Sequence, residues 1–266
     1  MLPCLMRALL LTSCLLAACT GFHPRNPPWL RQAQPETVAA SEAAAPKPVV
    51  WMPEWAAIGT SVEGRPLRLA RLGHGPRRVL WVGGIHGNER EGRISTAELP
   101  RALLLTPGAL DQVTLTILED VNPDGAARNV RGNARNVDLN RNYPARNFKP
   151  SVANGRQPLD QPEARALHDL ILDERPHLVI VAHSWHDDHF INFDGPAEHL
   201  AQRFSQLSGY RVKESDDISP TPGSLGSWAG RTLGIPILTL EYHRGKEPWA
   251  AWEETKAAIL AVVLSG

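Results

Sequence analysis

Two residues three apart, His86 and Glu89, stand in the stretch GGIHGNEREG (83–92), directly after the apolar run Val79–Val82. An imidazole and a carboxylate at this spacing can be the first two ligands of a divalent metal, and the surrounding glycines add no bulk. Alone, the pair also describes a polar turn, since His-x-x-Glu arises by chance in many chains. LVIVAHSWHDDHF (178–190) repeats the pattern by placing His183 straight after another apolar run. Two imidazoles and one carboxylate suit one Zn2+ ion and leave a fourth position for water, as in a catalytic rather than a structural site. ILTLEYHRG (237–245) adds Glu241 at the end of a third apolar run. A carboxylate there is costly to bury unless paired or functional. Near a metal it can take a proton from water and pass it to a leaving amine; the structural alternative is an ion pair with an arginine.

These residues need a scaffold that brings strand ends together. Apolar, β-branched runs predict strands at Leu67–Leu72, Val79–Val82, Val113–Leu118, Leu178–Val181 and Ile237–Leu240. Several lack alternation, as expected of strands buried on both faces. Helical stretches lie between them. One runs from near Glu91 towards Leu105 and should be disturbed by Pro100; another runs from an Asp160 N-cap ahead of Pro162 to about Glu174. Two more span Ala197–Leu207, with Gly209 just beyond, and Ala250–Leu264. The reading is a single α/β domain over residues 49–266, with a mostly parallel or mixed central sheet and helices on both faces. Such sheets collect ligands at the carboxyl ends of their strands, where His86, Glu89, His183 and Glu241 all fall.

Composition sets the outer limits. The chain has 266 residues, enough for one large domain, and its formal net charge is zero. No basic surplus points to nucleic acid, and no acidic run points to a disordered tail. The first 18 residues read as an export leader, with Arg7 ahead of an apolar stretch (Ala8–Ala18) too short to span a bilayer. Leu16-Ala17-Ala18-Cys19 resembles a bacterial lipobox, with Cys19 as the lipidated residue of a membrane-anchored protein; an ordinary signal peptide is the plainer alternative. All three cysteines (Cys4, Cys14, Cys19) lie here, so a metal site downstream must use histidine and carboxylate. Residues 19–48 hold Cys19 and a Pro- and Ala-rich tether, which as a flexible coil would reach ~30 Å. Thr20 after the cysteine, in place of Asp, favours the outer membrane in a lipoprotein of Gram-negative type.

Between the ligand runs lies NPDGAARNVRGNARNVDLNRNY (122–143). Its Asn-Pro-Asp-Gly opening is turn chemistry. Arg131, Asn140 and Arg141 follow; arginine binds carboxylates bidentately or can stabilise an oxyanion, and asparagine adds a neutral donor and acceptor. Read alone, the run could equally be a solvated loop.

Taken together, these motifs resemble the zinc carboxypeptidases of the metallocarboxypeptidase A superfamily, and within it the murein tripeptide amidase branch. The resemblance covers most of residues 55–245. It rests on IGTSVEGRPL (58–67), HGNE (86–89), NPDG with VDLNRNY, His183-Ser184 and TLE (239–241), while TPGSLGSW (221–228) and INFDGP (191–196) resemble the murein branch in particular. It implies that His86, Glu89 and His183 hold zinc and that Glu241 is the general base and then the acid. Arg131 would hold the oxyanion, and Asn140 and Arg141 the terminal carboxylate of a peptide substrate. Two His and one Glu are the ligand set of carboxypeptidase A itself, so this assignment follows the family. The implied substrate is a peptidoglycan-derived peptide cut at its γ-D-glutamyl–diaminopimelate bond. The export leader departs from the cytoplasmic enzymes of the branch and implies action in the periplasm. A second departure is the mobile tyrosine of digestive carboxypeptidases. The matching segment reads DDISPTPGS, and Tyr143, Tyr210 and Tyr242 all lie elsewhere. Asp187, Asp188, Asp194, Asp216 and Asp217 are candidates to contact the distal ammonium of diaminopimelate, and His186 and His189 would line the pocket or the surface. Aspartoacylase-like deacylases, which share HGNE and a DLNR-like segment, are the alternative enzyme class; a wall-binding lipoprotein without catalysis is the non-enzymatic one.

Overall fold

The computed structural model describes residues 54–215, 218 and 220–265. The leader, Cys19 and the tether lie outside them, as do Asp216 and Asp217. The described chain folds around one eight-stranded sheet. In chain order the strands are β1 (Ala56–Thr60), β2 (Pro66–Leu72), β3 (Arg77–Val82), β4 (Val113–Leu118), β5 (Leu178–Trp185), β6 (Phe190–Asp194), β7 (Arg211–Glu214) and β8 (Ile237–His243). Across the sheet they stand β1-β2-β4-β3-β5-β8-β6-β7. The four central strands, β4, β3, β5 and β8, are mutually parallel, and antiparallel pairings with β2 and β6 flank them. This is the mixed sheet the apolar runs predict, with the five expected strands present and β1, β6 and β7 added.

Helices cover both faces. On one lie α1 (Arg93–Leu104), α5 (Glu198–Ser208) and α6 (Pro248–Val263), which pack over Trp81, Ile180, Leu238, Leu240 and Tyr242. On the other, α4 (Pro162–Glu174) and a π-helical segment, Gly226–Thr232, enclose Leu80, Val82, Val179, Val181 and Ile237. Neighbouring residues of each central strand thus feed opposite cores, which explains the runs without polar alternation. Two short helices, α2 (Ala109–Gln112) and α3 (Pro123–Arg128), and a 3-10 turn at Leu139–Arg141 complete the set.

Helix α1 runs to Leu104, as expected, with Pro100 buried inside it. One expectation needs correction. The residue capping α4 is Gln161, because Pro162 occupies the first turn. Asp160 stands one residue too early to cap, and ties the preceding loop by accepting from Arg156 N (2.8 Å) and Asn142 Nδ2 (2.8 Å).

For function, the decisive feature is the chain's path around β3. It moves from β3 outward to β4, then returns to the other side of β3 as β5. The connections take opposite faces, so the carboxyl ends of β3 and β5 open onto a crevice where ligands bind in such sheets.

Candidate metal centre and active site

The loop after β3 carries the first two metal-ligand candidates. A one-turn hydrogen bond from Glu89 N to His86 O (3.1 Å) aims both side chains the same way. Gly87 between them has to be glycine, because a Cβ there would overlap the backbone of Gly125 in α3. His183 comes from β5, two residues beyond Val181, which pairs with Val82 at the end of β3. His86, Glu89 and His183 are all buried, and one donor atom of each lies within 4.8 Å of the others. His183 Nδ1 stands 2.7 Å from Glu89 Oε2 and His86 Nδ1 3.0 Å from Glu89 Oε1.

Lone pairs decide whether this cluster fits a metal ion. His86 Nε2 lies 3.0 Å from Asp138 Oδ1, which assigns the ring proton to Nε2. His86 Nδ1 is then a buried acceptor without a hydrogen-bond partner. An orphan of this kind is costly in an apolar interior, and a cation removes the cost. The donor set and its spacing fit zinc.

Charge within the cluster follows the same logic. Burial works against the charge of His86, but Glu89 and Asp138 outweigh it and raise its pKa. At His183 burial, joined by the charges of His86 and Arg131, prevails over Glu89 and its pKa falls. Glu89 is buried too, yet the two imidazoles hold it well below the usual carboxylate range. Glu241 pairs in register with His183 across β5 and β8. Burial, and then the charge of Glu89, push its carboxyl up to about 8 against the pull of His86, Arg131 and Arg244. A carboxylate tuned towards neutrality beside a metal site has the profile of a proton carrier.

The remaining candidates converge on the same cavity, of about 520 Å³. Arg131 bridges Glu89 Oε1 (3.1 Å) and Asp138 Oδ2 (3.0 Å). Asn140 is fixed by its own amide on Asp138 Oδ1 (2.9 Å) and accepts from Leu225 N (2.9 Å), which leaves its Nδ2 3.4 Å from His183 Nε2. Arg141 donates to Asn140 O (2.8 Å) and lines the cavity wall. A larger cavity of about 780 Å³ opens between Trp55 and α1; of these candidates it touches only Glu89.

Asp138 was not singled out from the sequence, yet it accepts from His86, Arg131 and Asn140 at once. The signal was present: an aspartate one residue ahead of a short 3-10 turn is a cap, and its side chain does accept from Asn140 N. Arg244, just beyond β8, was also missed. Its Nη2 donates to Glu89 Oε1 (2.9 Å), and no periodicity marks it.

Of the candidate aspartates, Asp187 and Asp194 line the cavity. Asp188 is held by Arg211 (2.6 Å) and Lys213 (2.8 Å) and does not line it. Asp194 is buried at the end of β6, where Ser215 Oγ (2.9 Å) and Arg231 Nε (2.8 Å) donate to it. His186 reaches the cavity, whereas His189 packs against Tyr210. Tyr143, Tyr210 and Tyr242 are fully buried, and none lines the cavity.

With this geometry in place, comparison with known proteins gives the class. A family model described as zinc carboxypeptidase matches residues 52–249, and the chain belongs to that family of metallopeptidases, whose members depend on zinc. Murein peptide amidase A of Escherichia coli (strain K12) is 31% identical over 179 residues, covering 61% of this chain and 70% of that protein. The γ-D-glutamyl-L-diamino acid endopeptidase 1 of Lysinibacillus sphaericus is 25% identical over 246 residues, 72% of this chain and 61% of that one. Among solved structures, the murein-tripeptide amidase of Escherichia coli O157 superposes with a TM-score of 0.68 at 25% identity, covering 82% of this chain and 94% of that one.

Proposed function

We propose that this protein hydrolyses the amide between a γ-D-glutamyl residue and a diamino acid, probing for a free carboxylate beside the scissile bond, in peptides derived from peptidoglycan. The single observation that carries the reading is convergence. His86, Glu89, His183 and Glu241 meet in one cavity whose wall holds Asn140 and Arg141. Similarity to two enzymes named for murein or γ-D-glutamyl substrates supports the choice of bond.

When held by His86, Glu89 and His183, zinc supplies Lewis-acid polarisation of a carbonyl and lowers the pKa of water. The chain's own groups do the rest. Arg141 and Asn140 grip the carboxylate next to the bond to be cut, which positions the amide. Glu241 takes a proton from the attacking water on its carboxylate and delivers it to the leaving nitrogen. Arg131 donates to the carbonyl oxygen as negative charge develops there. Beyond Glu241, the face of the sheet continues through Thr239 of β8 and Asn192 and Asp194 of β6, each at a cavity-lining position. From the register, Asp194 is opposite Ile237, four residues down β8 from Glu241, or ~13 Å along the strand. A polar wall of that depth suits a long side chain ending in charged groups rather than an aliphatic one.

The proposed setting is the periplasm, with the domain tethered through lipidated Cys19; what supports this is the leader and the lipobox-like run. The test of function is to incubate zinc-loaded protein with murein tripeptide, murein tetrapeptide and an N-acyl amino acid, and to read the products by mass. Release of diaminopimelate from the tripeptide is expected. Cleavage of the acyl amino acid alone would overturn the reading in favour of a deacylase.

A further inference from the structure

Arg244 lines the active-site cavity but has no part in the chemistry above. It follows β8, anchored by its own amide on Trp185 O (2.8 Å). Its Nη2 donates to Glu89 Oε1 (2.9 Å) and to Ser184 O (3.3 Å). Its Nε is buried without a partner, and its Nη1 makes no hydrogen bond among the described residues. With Nε sealed off, Nη1 is the donor this guanidinium keeps for a ligand beside the metal triad.

Its place in the fold gives that donor a direction. Asn140 and Arg141 belong to the side of the sheet where Leu139 and Leu225 join the core under α4. Arg244 leaves the sheet on the other side. The next residue, Gly245, donates to Glu91 (2.8 Å) at the root of α1, whose Leu99 and Leu103 lie in the opposite core. Arg244 touches the triad through Glu89, so a peptide whose carboxylate rests on Asn140 and Arg141, with its scissile carbonyl at the triad, shares one cavity with this guanidinium.

An α-linked peptide presents neutral backbone there. A γ-linked glutamyl residue presents a free α-carboxylate, separated from the scissile carbonyl by two methylenes and the α-carbon. Glu89 and Glu241 would repel that carboxylate unless a cation met it. We propose that Arg244 is a specificity residue that binds the α-carboxylate of a γ-linked glutamyl group on the acyl side of the scissile bond. It thereby makes the site selective for γ-glutamyl amides over ordinary peptides. The proposal rests on the reading of the site as a γ-glutamyl–diamino acid amidase.

The test compares two substrates that differ only at that group: L-Ala-γ-D-Glu-diaminopimelate, and the same peptide with the glutamyl α-carboxylate converted to the amide. Zinc-loaded wild-type protein is expected to favour the acid in kcat/KM by roughly 10- to 100-fold, the range for a charge-assisted hydrogen bond. In Arg244→Gln that ratio should fall to near one, and in Arg244→Lys it should be intermediate. Because Arg244 also steadies Glu89, the Gln variant slows both peptides alike; only the ratio carries the proposal, and zinc affinity measured in parallel reports the effect on Glu89. A wild-type ratio near one, or an unchanged ratio in Arg244→Gln, overturns it. Should the Gln variant not fold, the wild-type ratio and the Lys variant decide. If wild-type protein releases diaminopimelate from neither peptide, the substrate reading fails and takes this proposal with it; cleavage of both at equal rates removes only Arg244's role.

Discussion

Replacing Asp138 with Asn tests the site at its least obvious point. Asp138 is largely buried beside the ligands and accepts three donors: His86 Nε2 (3.0 Å), Asn140 N (2.9 Å) and Arg131 Nε (3.0 Å). Burial opposes its charge, but the hydrogen bond and charge of His86, followed by Arg131, hold its carboxyl far below the ordinary range. It is ionised at any working pH. Asparagine is nearly isosteric but can accept through only one of its two atoms. If its oxygen keeps His86 and Asn140, its NH2 faces the N–H of Arg131, donor against donor. If it turns over, the NH2 faces His86 and forces the ring proton onto Nδ1, the atom that should bind the ion. Either orientation weakens the centre. Loss of such a supporting carboxylate costs metal affinity roughly 10- to 100-fold, or about 1.4 to 2.8 kcal/mol. The assay is zinc competition against a chromogenic chelator, with circular dichroism to check the fold. A folded Asp138→Asn protein that binds zinc with wild-type affinity would refute the claim that Asp138 sets the tautomer of His86.

Glu241→Gln should lower kcat by roughly 10²- to 10⁴-fold while zinc affinity stays near wild type, because Glu241 acts on protons and is not one of the three ligands; steady-state kinetics on the murein tripeptide check this, and an undiminished kcat removes Glu241 as base. Arg141→Lys should raise KM by roughly 10- to 100-fold with little change in kcat, since a point ammonium cannot reproduce the fork on a carboxylate; an equal KM would remove that assignment. Asp120→Asn concerns stability. Burial pushes the Asp120 carboxyl up to about 6, although Asn122 N donates to it at 2.8 Å. The folded chain therefore holds a proton that the unfolded chain releases, and wild-type stability falls as pH rises from about 4 to about 6. The Asn variant should gain on wild type across that window by roughly 2–3 kcal/mol, measured by denaturant unfolding at pH 4 and pH 7. A difference that does not change with pH would show that Asp120 titrates normally.

Reading outward from the sequence worked where burial dictates residue type. The central strands are sealed between two cores, so Val79–Val82, Leu178–Val181 and Ile237–Leu240 admit almost nothing but apolar side chains. That makes the polar residue closing each run conspicuous. His86, Glu89, His183 and Glu241 were legible for this reason. Strands β1 and β7 were not, because they lie at the two edges of the sheet, where exposed positions and short length erase the pattern. β6 lies between β8 and the edge strand β7 and reads only as FINFD, five residues without strong alternation. The supporting residues were harder still. Asp138 left only the trace of a cap, and Arg244 matters through what it touches across 155 residues of sequence, a contact that leaves no local trace. The misplaced cap at Asp160 has the opposite origin: a strong local rule pointed one residue too early, because Pro162 takes the first turn and leaves Gln161 at the cap.

The direct pairing of His183 with Glu241 across β5 and β8 has a consequence for how errors in assembly are punished. Strand side chains alternate, so a slip of one position would turn Glu241 into the oily layer now filled by Leu240 and Tyr242, and lift one of those out beside the imidazoles. A misaligned chain would thus bury an unaccompanied negative group and forfeit the ion that only the native alignment can hold. Chemistry and alignment police each other here, and metal uptake becomes a readout of whether the two strands have met in the right place.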